Sequence, residues 1–247
     1  MQAMIIRVFL SMVFVASCLG VWDMRANAAD YFPLAVGNCW VYRPSYGNSG
    51  DRIDSIIGSE TVNGVRTYIW NRKEAPDDNY DEKRWIAKDA SGLKVYKIWG
   101  NEGPISQAVT LDPPWVMLKF EPKKDDTWIF EMDVDNVHFK VTYSIEAIDD
   151  VITVPAGSFN NCIRLRQLDE TTIDGTTEYG YYRYWYAPNV GPIRYTKYSA
   201  DLQTIHLNQE LVSNPVTIRE SQLDINGDGI LGLEDVIWGL QVLSGRR

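Results

Sequence analysis

The residues whose types and spacing point most directly to chemistry lie near the C-terminus, in DINGDGILGLED (224–235). Side-chain oxygens stand at the first, third, fifth and twelfth positions of this stretch, and a glycine stands at the sixth. This is the ligand spacing of a twelve-residue calcium loop. Calcium binds six to eight oxygens, and glycine at the sixth position permits the sharp turn that brings both halves of the loop around the ion.

The predicted calcium ligands span the whole loop and are Asp224, Asn226, Asp228, Ile230, Gly232 and Asp235. Four of them supply side-chain oxygens, Ile230 supplies its main-chain carbonyl, and a water is expected at the place of Gly232. The alternative interpretation is an acidic turn that faces solvent. That alternative does not account for the twelfth ligand or for the helical pattern that follows. The number of ligands favours Ca²⁺ over Mg²⁺.

The residues after the loop predict an amphipathic helix. Val236, Ile237, Leu240 and Leu243 follow the apolar stripe of one helix face, and Gly245 ends the pattern. A unit of this size cannot bury a core alone, so calcium must help it to fold. We expect the apolar stripe to be covered by the rest of the chain, by a second copy of the chain or by a partner protein.

The stretch LDINGDGILGLEDVIWGLQVLSG (223–245) resembles one repeat of a dockerin. Dockerins are calcium-loop-plus-helix modules by which secreted bacterial polysaccharide-degrading enzymes dock on scaffolding proteins, so the resemblance implies an EF-hand-type calcium site and an interaction role. The chain departs from the family in two ways. It has one repeat where dockerins have two, and Leu233 and Glu234 stand where the best-known dockerins often carry hydroxyl residues that touch the partner.

Composition places this tail on an ordinary globular protein. The chain has 247 residues, enough for one sizeable domain with a small appendage. Its formal net charge of -9 argues against a nucleic-acid binder, which would carry a basic face. Nine Trp and fourteen Tyr favour β-strands.

Residues 1–28 are interpreted as a secretory signal peptide. A charged start precedes the apolar run VFLSMVFVASCLGVW (8–22), and Ala26 and Ala28 form a cleavage site of the A-x-A type. The alternative is a lipid anchor, because Val15 to Cys18 resembles the lipobox at which bacterial lipoproteins are acylated on cysteine. Both interpretations predict export to the periplasm, the cell surface or the medium.

Export bears on the cysteines. Cleavage leaves only Cys39 and Cys162, an even pair that an oxidising compartment favours as a disulfide. Such a bridge would close a long loop and stabilise the fold by roughly 4 kcal/mol. The alternative is two small buried hydrophobic residues.

Residues 29–215 predict a mainly β domain, followed by a linker (216–222) and the calcium-binding tail (223–247). We expect ten or eleven strands in a twisted antiparallel meander that forms a half-barrel or an open barrel. Turns are predicted at Asn63–Gly64, Asp89–Gly92, Pro122–Asp126, Asp149–Asp150 and Asp174–Gly175.

Three stretches of this domain resemble a family of uncharacterised bacterial envelope proteins, and these are YFPLAVGNCWVY (31–42), ITVPAGSFNNCIRL (152–165) and YWYAPNVGPIRY (184–195). That family is similar in architecture to the curved sheets of periplasmic lipoprotein carriers. The resemblance implies a binding or structural role and supplies no catalytic residues.

The sequence favours a secreted or periplasmic protein without catalytic activity, with a calcium-binding interaction tail. One alternative is an envelope carrier of an apolar ligand on the concave sheet face, and another is a component of a polysaccharide-degrading system. A glycosidase needs two carboxylates across a cleft. The acidic clusters at 75–84, 123–128 and 147–150 are expected in turns, as solvated carboxylates.

Overall fold

The computed structural model describes residues 29–47, 50–74, 81–100 and 107–213. Its regular secondary structure is twelve strands: β1 Cys39–Tyr46, β2 Arg52–Val62, β3 Val65–Glu74, β4 Asp81–Asp89, β5 Gly92–Gly100, β6 Val109–Lys119, β7 Thr127–Val134, β8 Val137–Val154, β9 Gly157–Ile173, β10 Thr176–Ala187, β11 Gly191–Tyr198 and β12 Ile205–Ser213. Within these ranges, no helix is long and apolar enough to cross a membrane.

All twelve strands belong to one antiparallel sheet. Its order is β6-β5-β4-β3-β2-β1-β12-β11-β10-β9-β8-β7, so each half of the sheet is a meander. The halves meet where the first strand pairs with the last, with Tyr42 opposite Leu211. The predicted mainly β, antiparallel, barrel-like fold is confirmed, with twelve strands where ten or eleven were expected.

The two edge strands, β6 and β7, meet through side chains. The rings of Trp115 on β6 and Phe130 on β7 stack with centroids 5.1 Å apart. The indole of Trp128 donates a 2.8 Å hydrogen bond to the carbonyl of Val116. No backbone ladder joins these edges in the described ranges, so the sheet is a nearly closed barrel.

Short turns set the register of neighbouring strands. The predicted Asn63–Gly64 and Asp174–Gly175 turns are confirmed, and all four residues have positive φ, as two-residue hairpin turns require. The predicted turn at Asp149–Asp150 is wrong. Irregular pairing shifts the register of β8 against β9 on both sides of Asp150, and the strand bends while it continues to Val154.

This bend carries the β8–β9 hairpin across one end of the barrel, which we call the lower end. At its tip the backbone N–H of Ala156 donates to the carbonyl of Leu211 over 3.0 Å, and Arg194 donates to the carbonyl of Thr153. The segment before β1 covers the same end. Phe32 is fully buried there, with its ring centroid 5.2 Å from that of Trp70.

The core is aromatic and lies inside the barrel. Its largest fully buried side chains are Trp40, Tyr42, Tyr143 and Phe32. Trp40 donates from Nε1 to the carbonyl of Val190, and Tyr42 donates from its hydroxyl to the carbonyl of Pro192. Trp40 and Tyr42 thus bury their apolar surfaces while their polar atoms are satisfied.

Candidate functional site

A cavity of about 400 Å³ opens at the opposite, upper end of the barrel, where β4 begins and β9 ends. We call it the upper cavity. Its apolar wall consists of Ile98, Trp99, Trp115, Met132, Val134, Val137, Phe139 and Ile173. Its polar side chains are Asp81, Glu82, Arg84, Gln167, Asp169, Thr171 and Glu178. The volume lies in the range of small-molecule sites, which are mostly apolar with a few placed polar groups.

The alternation of side chains along each strand places these groups in the cavity. Successive residues of a strand point to opposite faces, so every second residue faces the interior. On β9 the alternate residues from Gln167 through Asp169 to Thr171 line the cavity, whereas Glu170 lies between them and pairs with Lys140. On β8, the alternate residues Val137 and Phe139 also line the cavity.

The polar floor continues into the barrel as a ladder of ion pairs, formed by Arg52, Asp54, Arg72, Glu82 and Arg84. Asp54 lies 3.3 Å from both Arg52 and Arg72, and Glu82 pairs with both Arg72 and Arg84. The ladder holds three cations and two anions. Charges buried this far require partners, and alternation of sign supplies them.

Arg84 ends the ladder at the cavity floor, and its guanidinium lies between two indoles. Its central carbon is 5.4 Å from the ring centroid of Trp70 and 5.0 Å from that of Trp115. One of its amino groups also donates to the sulfur of Met117 over 3.6 Å. Arg84 is therefore held by Glu82, two aromatic faces and a thioether, which fixes its position.

Asp169 stands apart from the ladder. Burial raises the pKa of its carboxyl to about 6, while a hydrogen bond from Gln167 and the positive charge of Arg84 act in the opposite direction. The Gln167 amide donates to Oδ1 over 2.7 Å. The cross-strand neighbour of Asp169 on β10 is Gly180, and the Tyr182 ring occupies the space where a side chain of Gly180 would stand.

Tyrosines complete the interior beside the ladder. Burial raises the pKa of Tyr143 and Tyr184 well above the usual value and that of Tyr186 to about 12, so these phenols stay neutral at physiological pH. The ring of Tyr184 packs against that of Tyr195 at a tilt of 47°, with centroids 5.2 Å apart. The interior is thus lined by neutral phenols beside the charged ladder.

A second recess, of about 720 Å³, lies at the lower end. It is bordered by the start of the described chain at Ala29, by Phe120 and by the ion pair of Lys88 with Asp30, whose atoms are 2.6 Å apart. Of the two, only the upper cavity has walls built from strands and a charged floor.

The functional residues predicted from the sequence are not those that line the upper cavity. The calcium ligands at Asp224, Asn226, Asp228, Ile230, Gly232 and Asp235 lie outside the described residues, as do the signal peptide with Cys18 and the linker at 216–222. Within the described ranges, no group of three His, Cys, Asp or Glu side chains is placed to hold a metal ion.

The predicted disulfide is absent, and both cysteines are free thiols. Cys39 lies on β1 and Cys162 on β9, and three strands separate β1 from β9 in the sheet. Burial raises the pKa of the Cys162 thiol to about 11. The alternative interpretation, a small buried residue, fits Cys162, which is buried, whereas Cys39 is half-buried.

Sequence reasoning missed the residues of the upper cavity. The cluster at 75–84 was expected to be a solvated turn, yet Asp81 to Arg84 open β4, and Glu82 and Arg84 are only about one-fifth exposed. The signal that was present is the alternation of β4, in which Glu82, Arg84 and Ile86 share one face.

No protein-family model and no curated protein matches the sequence. Two solved structures resemble the fold. A candidate lipoprotein from Parabacteroides distasonis is 15% identical, with 76% of this chain and 99% of that chain covered and a TM-score of 0.44. A candidate exported protein with a YmcC-like fold from Bacteroides fragilis is 13% identical, with 75% and 98% covered and the same TM-score. Likeness at this level carries no inference about function.

Proposed function

We propose that this chain is an exported, non-catalytic binding protein whose barrel holds an amphiphilic small molecule in the upper cavity. The observation that carries the proposal is the cavity itself. It has a volume of about 400 Å³, apolar walls contributed by several strands, and a charged floor at one end. Such a site suits a ligand with an apolar body and a single polar end.

The apolar walls provide the affinity. Burial of apolar ligand surface contributes roughly 25 cal/mol per Å². The rings of Trp115 and Phe139 lie edge to face with centroids 6.5 Å apart, and Trp115 also stacks on Phe130. Rings locked in this way lose little conformational freedom when a ligand enters, so less of the binding energy is lost to ordering the site.

The charged floor favours binding over catalysis. Glu82 and Arg84 are engaged with each other, and Arg72 holds the other oxygen of Glu82 at 3.3 Å. A general acid or base must exchange a proton with its substrate. Groups held in a ladder are instead suited to fixing the orientation of a polar ligand end.

A matched pair of variants on β7 tests this function. Met132 lines the cavity, whereas Ile129 on the same strand is 57% exposed on the outer face. Met132→Trp should fill the cavity and abolish the binding of 1-decanol in titration calorimetry, while Ile129→Trp should leave it unchanged. If decanol binds both variants and the unmodified protein equally, the ligand does not enter this cavity.

Export rests on the sequence features of residues 1–28. We expect mass spectrometry of the protein recovered from the producing bacterium to show a chain that starts at Ala29. A diacylglyceryl group on Cys18 would replace simple cleavage by lipid anchoring, and an intact residue 1 would exclude both.

We also propose calcium binding at 224–235, which the ligand spacing supports. Titration calorimetry of chain 29–247 should detect about one calcium site, lost in Asp224→Ala and in Asp228→Ala. Unchanged calcium binding in both variants would remove this loop as the site. Affinity should be modest, because Asp235 is one carbon shorter than the usual bidentate glutamate.

The apolar helix stripe after the loop gives the tail a proposed interaction role. If calcium orders a helix that docks on a second copy, light scattering should show association with calcium and a monomer with chelator. Asp228→Ala should stay monomeric in both conditions. A monomer in both conditions would mean that a second copy does not cover the apolar stripe, which leaves the chain's own β domain or a different partner protein as its cover.

A further inference from the structure

The carboxylate of Asp169 lies in the upper cavity without an ion-pair partner. No cationic group of the described chain approaches it within ion-pair distance, and the Gln167 amide, at 2.7 Å, is its hydrogen-bond partner. The neighbouring Glu82 has two arginine partners. A buried carboxylate normally pairs with a cation or binds a metal, so Asp169 lacks the partner that its setting demands.

Arg84, the cation nearest in the cavity lining, is already committed. Glu82 holds its Nε, and the two indoles of Trp70 and Trp115 flank its guanidinium at 5.4 and 5.0 Å. An anionic ligand would have to compete with Glu82 for this arginine. The ladder therefore offers no free cation at the cavity surface.

The remaining charges of the lining are negative. Among the described residues of the lining, four carboxylates, on Asp81, Glu82, Asp169 and Glu178, stand with one guanidinium, that of Arg84. Cations outside the lining compensate most of this excess, because Lys83 lies 3.5 Å from Asp81 and Arg72 lies 3.3 Å from Glu82. Counted with the ladder and Lys83, the described residues of this region hold five carboxylates and four cations, an excess of one negative charge. The excess that remains favours a cationic ligand over an anionic one.

We propose that the ligand of the upper cavity is an amphiphilic amine, whose ammonium group donates hydrogen bonds to the Asp169 carboxylate while its apolar body lies against Trp115, Phe139 and Met132. This inference rests on the proposed binding function and names the chemical class of its ligand. The ammonium supplies the missing cation, and aromatic walls tolerate a nearby positive charge. Asp169 is then the residue that determines specificity.

Several charged and titratable groups face Asp169 from the surrounding strands. They are Glu82 and Arg84 on β4, Tyr143 on β8, Tyr184 on β10, and Lys197 and Tyr195 on β11. The neutral amide of Gln167 on β9 adds a hydrogen bond. Lys197 is exposed at the barrel rim and acts on Asp169 at longer range. Each tyrosine is neutral at physiological pH, so Asp169 is the group of this set that titrates near pH 6.

The test compares three decyl ligands: decylammonium, 1-decanol and decanoate. Calorimetry at pH 7.5 should give the order decylammonium, decanol, decanoate from tightest to weakest. Asp169→Asn should weaken decylammonium by about tenfold or more, since a hydrogen bond to a charged group is lost, and leave decanol unchanged. Glu170→Gln is the matched control, because Glu170 is the next residue of β9 and pairs with Lys140 outside the cavity lining.

The pH dependence provides an independent readout. Decylammonium stays charged at pH 5, whereas Asp169 becomes mostly protonated, so affinity should fall by about tenfold between pH 7 and pH 5. Asp169→Asn should remove this dependence.

The two proposals fail in different ways. If none of the three ligands binds, the proposed function is wrong and the amine inference falls with it. If decanol binds and is blocked by Met132→Trp, but decylammonium shows no preference or Asp169→Asn leaves its affinity unchanged, the cavity binds amphiphiles and the amine assignment is wrong. Preference for decanoate would assign the cavity to an anionic amphiphile instead.

Discussion

Asp54 is the carboxylate whose removal should destabilise the barrel most. Its side chain is fully buried, and Oδ1 lies 3.3 Å from Nε of both Arg52 and Arg72. Arg52 is itself only 3% exposed and lies over the ring of Tyr42, with its guanidinium carbon 4.3 Å from the ring centroid. The substitution Asp54→Asn keeps the shape of the side chain and removes the charge.

The expected loss in free energy of unfolding is about 3–5 kcal/mol, the range for removing one member of a buried ion pair. Most of this cost should come from Arg52, because it would remain as a buried cation beside a neutral amide. Arg72 loses less, since Glu82 still lies 3.3 Å from it. The double variant Arg52→Met/Asp54→Leu should recover part of the loss, because it leaves neither charge of the pair behind.

Urea unfolding followed by tryptophan fluorescence measures the effect. With a slope near 2–3 kcal/mol per molar urea, the midpoint of Asp54→Asn should fall by roughly 1–2 M. Asp51→Asn is the control, because Asp51 pairs with Arg43 on the surface and solvent screens the pair. A midpoint for Asp54→Asn no lower than that of Asp51→Asn would refute the view that the ladder is a buried, tightly coupled set.

Three further substitutions or measurements follow from the structure. In the unmodified protein, burial raises the pKa of Asp169 to about 6, so the free energy of unfolding should fall as pH rises from about 4 to about 6 and this carboxyl ionises inside the barrel. Asp169→Asn lacks this ionisation, so its stability relative to the unmodified protein should rise by on the order of 3 kcal/mol over the same window. A stability difference that is constant across this window would contradict that pKa. Gly92→Ala should lower the free energy of unfolding by well over 1 kcal/mol, because a Cβ there would lie 2.2 Å from the carbonyl oxygen of Leu118 and φ is +154°. Gly58→Ala is the control and should cost less, since its nearest contact would be at 3.9 Å. Equal costs in urea unfolding would mean that the backbone at Gly92 readily adjusts. Thiol titration of unreduced chain 29–247 should give two free thiols in denaturant and no reaction of the fully buried Cys162 in the native state. A count of zero would restore the disulfide.

Sequence predicted best what is decided locally. Asn63–Gly64 and Asp174–Gly175 are turns because their residues adopt positive φ at low cost, and this requires no knowledge of the rest of the fold. The alternation of apolar and polar residues in the strands that flank these turns is equally local, and it predicted a mainly antiparallel sheet. The turn expected at Asp149–Asp150 failed because β9 pairs with this segment through register shifts, and those depend on a partner strand.

The candidate site could not be predicted because its residues are far apart along the chain. Asp54, Glu82 and Asp169 look like ordinary polar residues of strands or turns when each is viewed with its sequence neighbours. They become neighbours only after β2, β4 and β9 are bent into a barrel that buries Asp54 fully and shields Glu82 and Asp169 from most of the solvent. Burial then alters their chemistry, as the raised pKa of Asp169 shows.

The most direct test of the central claim is a crystal structure of the protein grown with decylammonium. The ligand should occupy the upper cavity, with its nitrogen within hydrogen-bond distance of Asp169 and its chain against Trp115 and Phe139. Ligand density at any other place, or a crystal in which side chains fill the cavity while calorimetry still records binding, would contradict the claim that this barrel binds amphiphiles at its upper end.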